Sequence, residues 1–465
     1  MSEKYNLVVI GSGPGGYVAA IRAAQLGLRT AVVEREHIGG VCLNWGCIPS
    51  KTLLYATELK RAIQTAGRAG IVAENVSIDI EKLRRHKDTT VKRLTGGIKL
   101  LLEKSGVDII EGEASFVSGN KIKVAKGGST SEIAADNFII AAGARPVDLP
   151  MIPVDGQVVV GAREAVNLPR VPKNMLVIGA GPIGVELGSI YHTLGAKVTI
   201  VELLSAVLPM LDADISSAAQ AALKKQGLDI FLASKVTASE KKGDAIDVTI
   251  EMPGGSRIMN FDMVLVSAGM KPNTGSLGLD KAGVEVDSRG FIKVDRTMKT
   301  SAGGIYAIGD VTGGLLLAHK ASHEGVVAAE AAAGQAHAAD WKAVPYAVFI
   351  EPEVAGIGLT EKEAIETGRK IKIGKVPLGA VGKAVATLSA DGFAKVICDA
   401  ETDEILGIHL IGSHAGDIIL AGTMLLEMDG TAEDLGRMMA VHPTLSEALM
   451  EAGLHANKKA IHIIN

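Results

Sequence analysis

Residues 7–16 read Leu-Val-Val-Ile-Gly-Ser-Gly-Pro-Gly-Gly, and residues 175–184 read Met-Leu-Val-Ile-Gly-Ala-Gly-Pro-Ile-Gly. Each stretch is an apolar strand that runs into a G-x-G-x-x-G turn. A helical stretch and a second apolar strand follow, and each copy ends on an acid 18 positions after its last glycine. A lone glycine turn is a weak signal, but two complete copies predict two Rossmann-like dinucleotide-binding units. The residues expected to bind the nucleotides are Gly11, Gly13, Gly16 and Glu34 in the first unit and Gly179, Gly181, Gly184 and Glu202 in the second.

The residue types in both units suit a bound dinucleotide. The first glycine makes a tight turn, the second lets the backbone approach a pyrophosphate, and the third lets the helix pack close to the strand. The acid would accept hydrogen bonds from a ribose. No Lys or Arg occurs in the five residues after Glu202, 203–207, so nothing there would meet a 2′-phosphate. The second unit therefore favours NAD over NADP.

Composition narrows the class of protein further. The chain has 465 residues, a net charge of −4 and no apolar run long enough to span a bilayer. This predicts a cytoplasmic protein of about three domains, with no basic field for nucleic acid and no membrane partner. Three cysteines are few for a disulfide-stapled fold. Cys398 lies in an apolar stretch and is predicted to be an inert core residue.

The remaining strands predict an α/β fold with a separate last domain. Two further apolar runs close on Gly143 and Gly269, and a third, residues 304–310, ends in Gly-Asp. Short strands followed by helical stretches from about residue 344 predict an α+β domain. We expect four segments: a dinucleotide-binding segment at 1–147, a second at 148–270, a central segment at 271–342 that completes the first, and an interface domain at 343–465.

Cys42 and Cys47 lie five residues apart in Gly-Gly-Val-Cys-Leu-Asn-Trp-Gly-Cys-Ile-Pro-Ser-Lys, residues 39–51. On an ideal helix such Cα atoms are about 8–9 Å apart, too far for a disulfide. The pair can close only if the start of the helix is distorted, and Gly46 supplies backbone freedom. A strained, accessible pair favours redox chemistry. Two core thiols or half of a zinc site are the alternatives, although the further ligands that zinc needs are missing nearby.

With these motifs the chain resembles the pyridine nucleotide–disulfide oxidoreductase family over essentially its whole length. The most specific stretches are residues 39–51, Leu-Ala-His-Lys-Ala-Ser-His-Glu-Gly at 317–325 and His-Pro-Thr-Leu-Ser-Glu-Ala at 442–448. The Cys-Ile-Pro-Ser-Lys version favours the lipoamide branch. The resemblance implies flavin-dependent oxidation of protein-bound dihydrolipoyl groups with reduction of NAD. It also implies a homodimer that serves the lipoyl domains of a multienzyme complex.

The resemblance assigns a role to each residue of the expected site. FAD binds the first unit and NAD the second, Cys42 exchanges with the substrate, and Cys47 faces the flavin. Asp310 is the ligand of the flavin's sugar chain. Lys51 lies by the flavin ring, paired with Glu186. No metal is expected.

His442 and Glu447 match the family's acid–base pair, which acts across the dimer on the partner's cysteines. A His can take a thiol proton near neutral pH, and a carboxylate on its other nitrogen fixes the tautomer. On its own, a His before Pro is more often a turn residue. Thr444 and Glu447 also have the spacing of a capping box for a helix at about 445–454.

Two other functions stay open. The chain could be another NAD(P)H-dependent disulfide reductase of the same family, or chiefly a docking subunit of a 2-oxo acid dehydrogenase complex. The absence of a basic residue after Glu202 argues against the NADP-linked glutathione type. Trp45 stands between the cysteines where the family has a small aliphatic residue.

Overall fold

The computed structural model describes residues 4–335 and 337–465. The strands are β1 Tyr5–Ile10, β2 Thr30–Glu34, β3 Asp108–Glu111, β4 Glu113–Ser118, β5 Lys121–Lys126, β6 Ser129–Ile140, β7 Ala144–Pro146, β8 Val159–Val160, β9 Asn174–Ile178, β10 Lys197–Val201, β11 Asp229–Phe231, β12 Lys235–Lys242, β13 Ala245–Met252, β14 Gly255–Phe261, β15 Met263–Val266, β16 Met270–Pro272, β17 Ile305–Ala307, β18 Tyr346–Val348, β19 Val354–Gly358, β20 Ile371–Pro377, β21 Phe393–Asp399 and β22 Ile405–Ile411. The helices are α1 Pro14–Gln25, α2 Gly40–Asn44, α3 Cys47–Thr65, α4 Ile80–Lys104, α5 Ala162–Ala165, α6 Pro182–Leu194, α7 Ala213–Gln226, α8 Leu279–Ala282, α9 Ala318–Ala332, α10 Glu361–Glu366, α11 Gly382–Ala386, α12 Ala415–Glu427, α13 Ala432–Arg437 and α14 Glu447–Ala456.

The first of two compact units runs to Asp148 and also takes in Val166–Leu168 and Gly269–Asp340. Its main sheet has the order β3-β2-β1-β6-β5-β4, with β17 paired to β6. The strands β3, β2, β1, β6 and β17 run parallel. Strand β1 lies at the centre and is buried on both faces. Leu7 and Val9 belong to one apolar cluster with residues of α1 and α9, and Val8 and Ile10 belong to another with residues of β4 and β5. The first Rossmann-like unit predicted from the sequence is confirmed.

The second compact unit begins at Leu149 and contains the other glycine turn. Its parallel sheet has the order β11-β10-β9-β15-β8, and β9 is fully buried from Met175 to Val177. Helix α6 connects β9 to β10, which pair side by side, so the second copy also forms a β-α-β unit. An antiparallel sheet of β12, β13 and β14 follows. The second Rossmann-like unit is confirmed.

The same unit ends in an antiparallel sheet with the order β18-β19-β22-β21-β20. Helices α12, α13 and α14 contribute to one apolar cluster with this sheet, which includes Cys398, 0% exposed. The α+β character of the last part of the chain is confirmed, and so is the prediction that Cys398 is a core residue. Burial raises the pKa of Cys398 to about 12, so this thiol is inert.

The four-segment division at 1–147, 148–270, 271–342 and 343–465 stays a prediction. Residues 1–3 of its first segment lie outside the described residues. No helix in the described part of the chain is long and apolar enough to cross a membrane.

Candidate active site

The first glycine turn has the shape that a bound pyrophosphate requires. Gly11 has a φ of +100°, and a Cβ there would overlap the Ala141 carbonyl. A Cβ on Gly16 would overlap the Gly11 carbonyl oxygen, so glycine is needed for α1 to pack against its strand. Gly13 differs, because a Cβ there would meet nothing within 4 Å. The turn is closed toward the protein and open at Gly13, where a ligand would approach.

The second turn repeats this geometry residue by residue. Gly179 has a φ of +103°, and a Cβ on Gly184 would overlap the Gly179 carbonyl oxygen. A Cβ on Gly181 would again meet nothing within 4 Å. Since helices α1 and α6 both begin directly after the open glycine, each presents its unpaired N–H groups to an anion at that point. Both turns fit a dinucleotide diphosphate.

The two acids also occupy matching positions. Glu34 accepts hydrogen bonds from Ser12 N at 2.9 Å and Glu36 N at 2.8 Å. Glu202 accepts from Ala180 N at 2.7 Å and Leu204 N at 2.8 Å. Each carboxylate thus ties its strand end to its glycine turn and still has lone pairs for a ribose hydroxyl. The sequence did not predict this structural role of the two acids. In the first turn the buried Ser12 also takes part, because its hydroxyl donates to Glu34 at 2.7 Å.

Gly143 and Gly269 lie at the starts of two short paired strands. Both have positive φ, +68° and +113°, which only glycine adopts without strain. They are followed by β7 and β16, which pair antiparallel, with Arg145 opposite Lys271. The backbone of Gly143 also accepts a hydrogen bond from Asn273 N at 3.0 Å. Their predicted part in cofactor binding stays a prediction.

The cysteines lie on either side of a break in the helix. Cys42 belongs to α2, Cys47 is the first residue of α3, and Trp45 and Gly46 separate the two helices. A Cβ on Gly46 would lie 2.9 Å from the Val41 carbonyl oxygen and 3.1 Å from the Cys42 Cα. Only glycine allows this close approach, which folds the start of α3 back against α2. The distortion predicted from the spacing is therefore a complete break.

The break brings the two thiols together. Cys42 is partly buried and Cys47 is exposed, and the two side chains are in hydrogen-bonding contact with each other. This hydrogen bond and burial raise the pKa of Cys42, while the nearby Lys51 ammonium lowers it. The close contact is that of a dithiol that can be oxidised to a disulfide, and the predicted disulfide corresponds to that oxidised form.

The cysteine segment rests on the first glycine turn. Gly39 N donates to the Ser12 carbonyl at 3.0 Å, and a Cβ on Gly40 would lie 2.7 Å from the Gly13 Cα. Gly39 and Gly40 both have positive φ. The thiols are therefore held at a fixed position next to the turn that would carry a dinucleotide.

Trp45, which departs from the family pattern, packs inside this segment. Its ring meets that of His37 edge-on, with centroids 5.7 Å apart. The neighbouring Asn44 side chain donates to the carbonyls of Ile38 at 3.0 Å and Gly40 at 2.8 Å. Both contacts brace the loop before α2, and the sequence offered no signal for either.

His442 and Glu447 meet as predicted. His442 Nδ1 lies 2.9 Å from Glu447 Oε1, and the imidazole is exposed whereas the carboxylate is mostly buried. Glu447 Oε2 also accepts from Thr444 N at 2.8 Å. The hydrogen bond from His442 and that from the backbone hold the pKa of Glu447 below its ordinary value, so it is ionised at neutral pH. The catalytic role of the pair stays a prediction.

The predicted capping box at Thr444 is wrong. Helix α14 begins at Glu447 rather than near residue 445, and Thr444 donates its hydroxyl to the Val441 carbonyl at 2.7 Å. Thr444 is therefore not the N-cap residue, and its hydroxyl does not accept from the Glu447 N–H. Only the other half of the box forms, in which the Glu447 carboxylate accepts from Thr444 N. The sequence spacing could not distinguish this turn from a cap.

Asp310 lies in a 3-10 turn over Gly309–Thr312, directly after β17. Burial raises the pKa of its carboxyl group and the Lys320 ammonium lowers it, and none of the described residues donates a hydrogen bond to that group. An acceptor that the protein leaves unsatisfied suits a hydroxyl group of a ligand.

Lys51 on α3 and Glu186 on α6 belong to different units, and their pairing stays a prediction. The Glu186 carboxylate accepts from Phe349 N at 2.9 Å.

These features define a class of protein. Two dinucleotide-shaped turns, a contacting thiol pair beside one of them and a carboxylate-bound imidazole are the parts of an oxidoreductase that exchanges electrons between thiols and a nucleotide cofactor. In the part of the chain that the structure describes, no cluster of three His, Cys, Asp or Glu side chains could hold a metal ion.

The chain belongs to the pyridine nucleotide-disulphide oxidoreductase family. Residues 5–325 match the model of that family, and residues 344–453 match its dimerisation domain. A dihydrolipoyl dehydrogenase of Thermus scotoductus is 46% identical over 100% of both chains. A dihydrolipoyl dehydrogenase of Geobacillus stearothermophilus is 42% identical over 98% of this chain and 97% of that one. The solved structure of LpdA from Mycobacterium tuberculosis superposes with a TM-score of 0.89 at 29% identity, covering 96% of this chain and 99% of that one.

Proposed function

We propose that this chain is a dihydrolipoyl dehydrogenase, which oxidises dihydrolipoyl groups to lipoyl groups and reduces NAD to NADH. The observation that carries the proposal is the contact between the Cys42 and Cys47 thiols beside the first glycine turn. A dithiol substrate matches a redox-active pair of the same kind, since thiol–disulfide exchange needs no other reactant. Full-length similarity to dihydrolipoyl dehydrogenases at 42–46% identity supports this substrate.

The cofactors of the proposal are FAD and NAD, and the described residues fit both. The turn from Gly11 to Gly16 with Glu34 and Asp310 would hold FAD, and the turn from Gly179 to Gly184 with Glu202 would hold NAD. When bound, these groups supply the hydride chemistry that protein side chains lack. Leu203 and Leu204 after Glu202 are exposed and uncharged, which supports NAD over NADP.

The thiol chemistry belongs to the cysteines. A substrate thiolate attacks Cys42 Sγ of the oxidised pair, which forms a mixed disulfide and releases Cys47 as a thiolate. The second substrate thiolate then attacks the substrate sulfur of that mixed disulfide, which closes the lipoyl ring and releases Cys42. The substrate has lost two electrons and the cysteine pair has gained them.

His442 handles the substrate proton. With Glu447 ionised, Nδ1 carries the imidazole proton toward the carboxylate, and Nε2 presents its lone pair. Nε2 takes the proton of the incoming thiol, and Glu447 stabilises the imidazolium that results. We propose that the His442 of one protomer serves the cysteine pair of its partner in a homodimer, which the match of residues 344–453 to a dimerisation domain supports.

The setting of the reaction is part of the same proposal. We expect a cytoplasmic homodimer whose substrates are lipoyl domains of a multienzyme complex. No described contact favours the alternative of a docking subunit with secondary catalysis. That alternative would leave the purified protein with little turnover of free dihydrolipoamide.

A steady-state assay tests the proposed function. The purified protein is expected to reduce NAD with dihydrolipoamide, to use NADP at least about tenfold less well, and to leave glutathione disulfide with NADPH unreacted. Cys42→Ser and Cys47→Ser should each abolish NAD reduction with FAD still bound. Cys398→Ser is the matched control, because this thiol is 0% exposed and outside the site. Turnover of dihydrolipoamide by either site variant would overturn the proposal.

A further inference from the structure

A buried ion pair lies directly behind the Asp310 turn. Lys320 Nζ and Glu324 Oε1 are 2.7 Å apart on successive turns of α9, and their side chains are 7% and 1% exposed. Removing such a pair from water is costly, and apolar residues of similar volume are often equally stable in its place. A role in stability alone therefore explains the pair poorly, and the mechanism above does not use it.

The pair reaches both ends of the turn that carries Asp310. At the start of the turn, Gly309 N donates to Glu324 Oε2 at 2.7 Å. At its end, Lys320 Nζ donates to the Gly313 carbonyl at 3.4 Å. The first bond is short and charge-assisted and the second is long, so Glu324 is the stronger of the two contacts.

The backbone leaves the turn little other freedom. Ile308 N donates to Ile140 O at 3.0 Å, and Gly313 N donates to Asp310 O at 3.2 Å. Gly309 has a φ of +72°, so the turn begins in a backbone conformation that other residues rarely adopt. The carboxyl group of Asp310 receives no hydrogen bond from the described residues, and its orientation depends on the backbone that holds it.

We propose that Glu324 is a positioning residue for FAD: by accepting the Gly309 N–H, it holds the turn so that the Asp310 carboxylate meets the sugar chain of the flavin. Lys320 keeps Glu324 in place and balances its charge. This inference rests on the proposed function, in which the first unit binds FAD. It assigns a flavin-binding task to a side chain that does not touch the flavin itself.

Two charge-neutral double variants isolate the hydrogen bond. Lys320→Met with Glu324→Gln removes both charges and keeps an oxygen that can accept from Gly309 N. Lys320→Met with Glu324→Ala removes both charges and the acceptor. Both variants lose the two charges together, so the effect of the missing Lys320 charge on Asp310 is the same in both and they differ only at residue 324. Glu330→Gln on the same helix is the control, because Glu330 pairs with Arg22, 2.6 Å away, and not with the turn.

The readout is the dissociation constant of FAD, titrated into the flavin-free protein by fluorescence quenching. The variant with alanine should bind FAD at least about tenfold more weakly than the variant with glutamine, the loss expected for an unsatisfied buried N–H. Glu330→Gln should bind like the wild type. Equal affinity of the two double variants would overturn the proposal.

A second comparison separates positioning from general stability. When Asp310→Ala is added to both double variants, the difference between them should fall below about threefold, because the orienting contact then has no carboxylate to act through. A tenfold difference that persists without Asp310 would overturn the proposal and leave the dehydrogenase function standing. Conversely, a wild-type protein that binds FAD and fails to oxidise dihydrolipoamide would overturn the proposed function and leave the role of Glu324 standing.

Discussion

The contact between Gly46 and the end of α2 allows a quantitative prediction for Gly46→Ala. The added Cβ would lie 2.9 Å from Val41 O, whereas ordinary contacts begin at 3.4 Å, so the start of α3 must retreat by about 0.5 Å. Overpacking of this kind costs about 1–3 kcal/mol of unfolding free energy. Cys47 is the next residue, and its thiol moves away from Cys42 by a similar distance. Since a 1 Å misplacement can cost about 10²-fold in rate, about a tenfold loss is expected.

The rate is measured as NADH absorbance with dihydrolipoamide and NAD, and the stability by urea unfolding. Gly96→Ala is the control, since it lies in the middle of α4 and a Cβ there meets nothing within 4 Å. That substitution should keep the wild-type rate and stabilise the protein by about 0.5–1 kcal/mol, because alanine favours the helix. If Gly46→Ala reacted and unfolded like the wild type, the close approach would not be what joins the thiols.

Three further substitutions test the base and the nucleotide specificity. His442→Ala should lower kcat by about 10²–10⁴-fold while the cysteine pair remains oxidisable, which titration with a thiol reagent checks; an unchanged kcat would remove His442 from the mechanism. Glu447→Gln tests the lowered pKa of Glu447 through the pH dependence of unfolding. A carboxyl group whose folded pKa is depressed contributes stability above its ordinary value of 4.5, and that contribution is lost as pH falls through the folded pKa. The difference in urea unfolding between wild type and Glu447→Gln should therefore be present near neutral pH and shrink as the pH falls below 4.5, and a constant difference would contradict the assignment. Leu203→Arg should raise kcat/KM for NADP at least about tenfold, because it places a guanidinium next to Glu202 where a 2′-phosphate would lie. An unchanged kcat/KM would mean that other residues set the preference for NAD.

The parts of the fold that follow from local pattern could be predicted. Each glycine turn predicts the strand before it and the helix and strand after it, all within about 30 residues. Glu34 and Glu202 lie directly at the ends of the expected second strands. The pairing of His442 with Glu447 is also local, five positions apart. These contacts depend on residues close in sequence, which is where a single sequence carries most information.

The parts that depend on distant residues could not be predicted. The bond from Gly309 to Glu324 needs the position of α9, and the contact of Gly40 with Gly13 needs the fold of the whole loop. Spacing alone also predicted only a distorted start of the helix that contains the cysteines, whereas the complete break involves the close approach of Gly46 to Val41. Helix propensity gives no sign of such a contact.

The discontinuous first unit has a consequence for synthesis of the chain on the ribosome. Strand β17 supplies the parallel neighbour of β6, and Gly325 on α9 packs so closely against Gly15 that a Cβ would lie 2.5 Å from its carbonyl oxygen. At about 5–20 residues per second, the residues between Asp148 and the end of that unit take roughly 10–40 s to emerge. During that interval the edge of β6 and the apolar face of α1 lack their partners, which is the condition under which chaperones bind nascent chains.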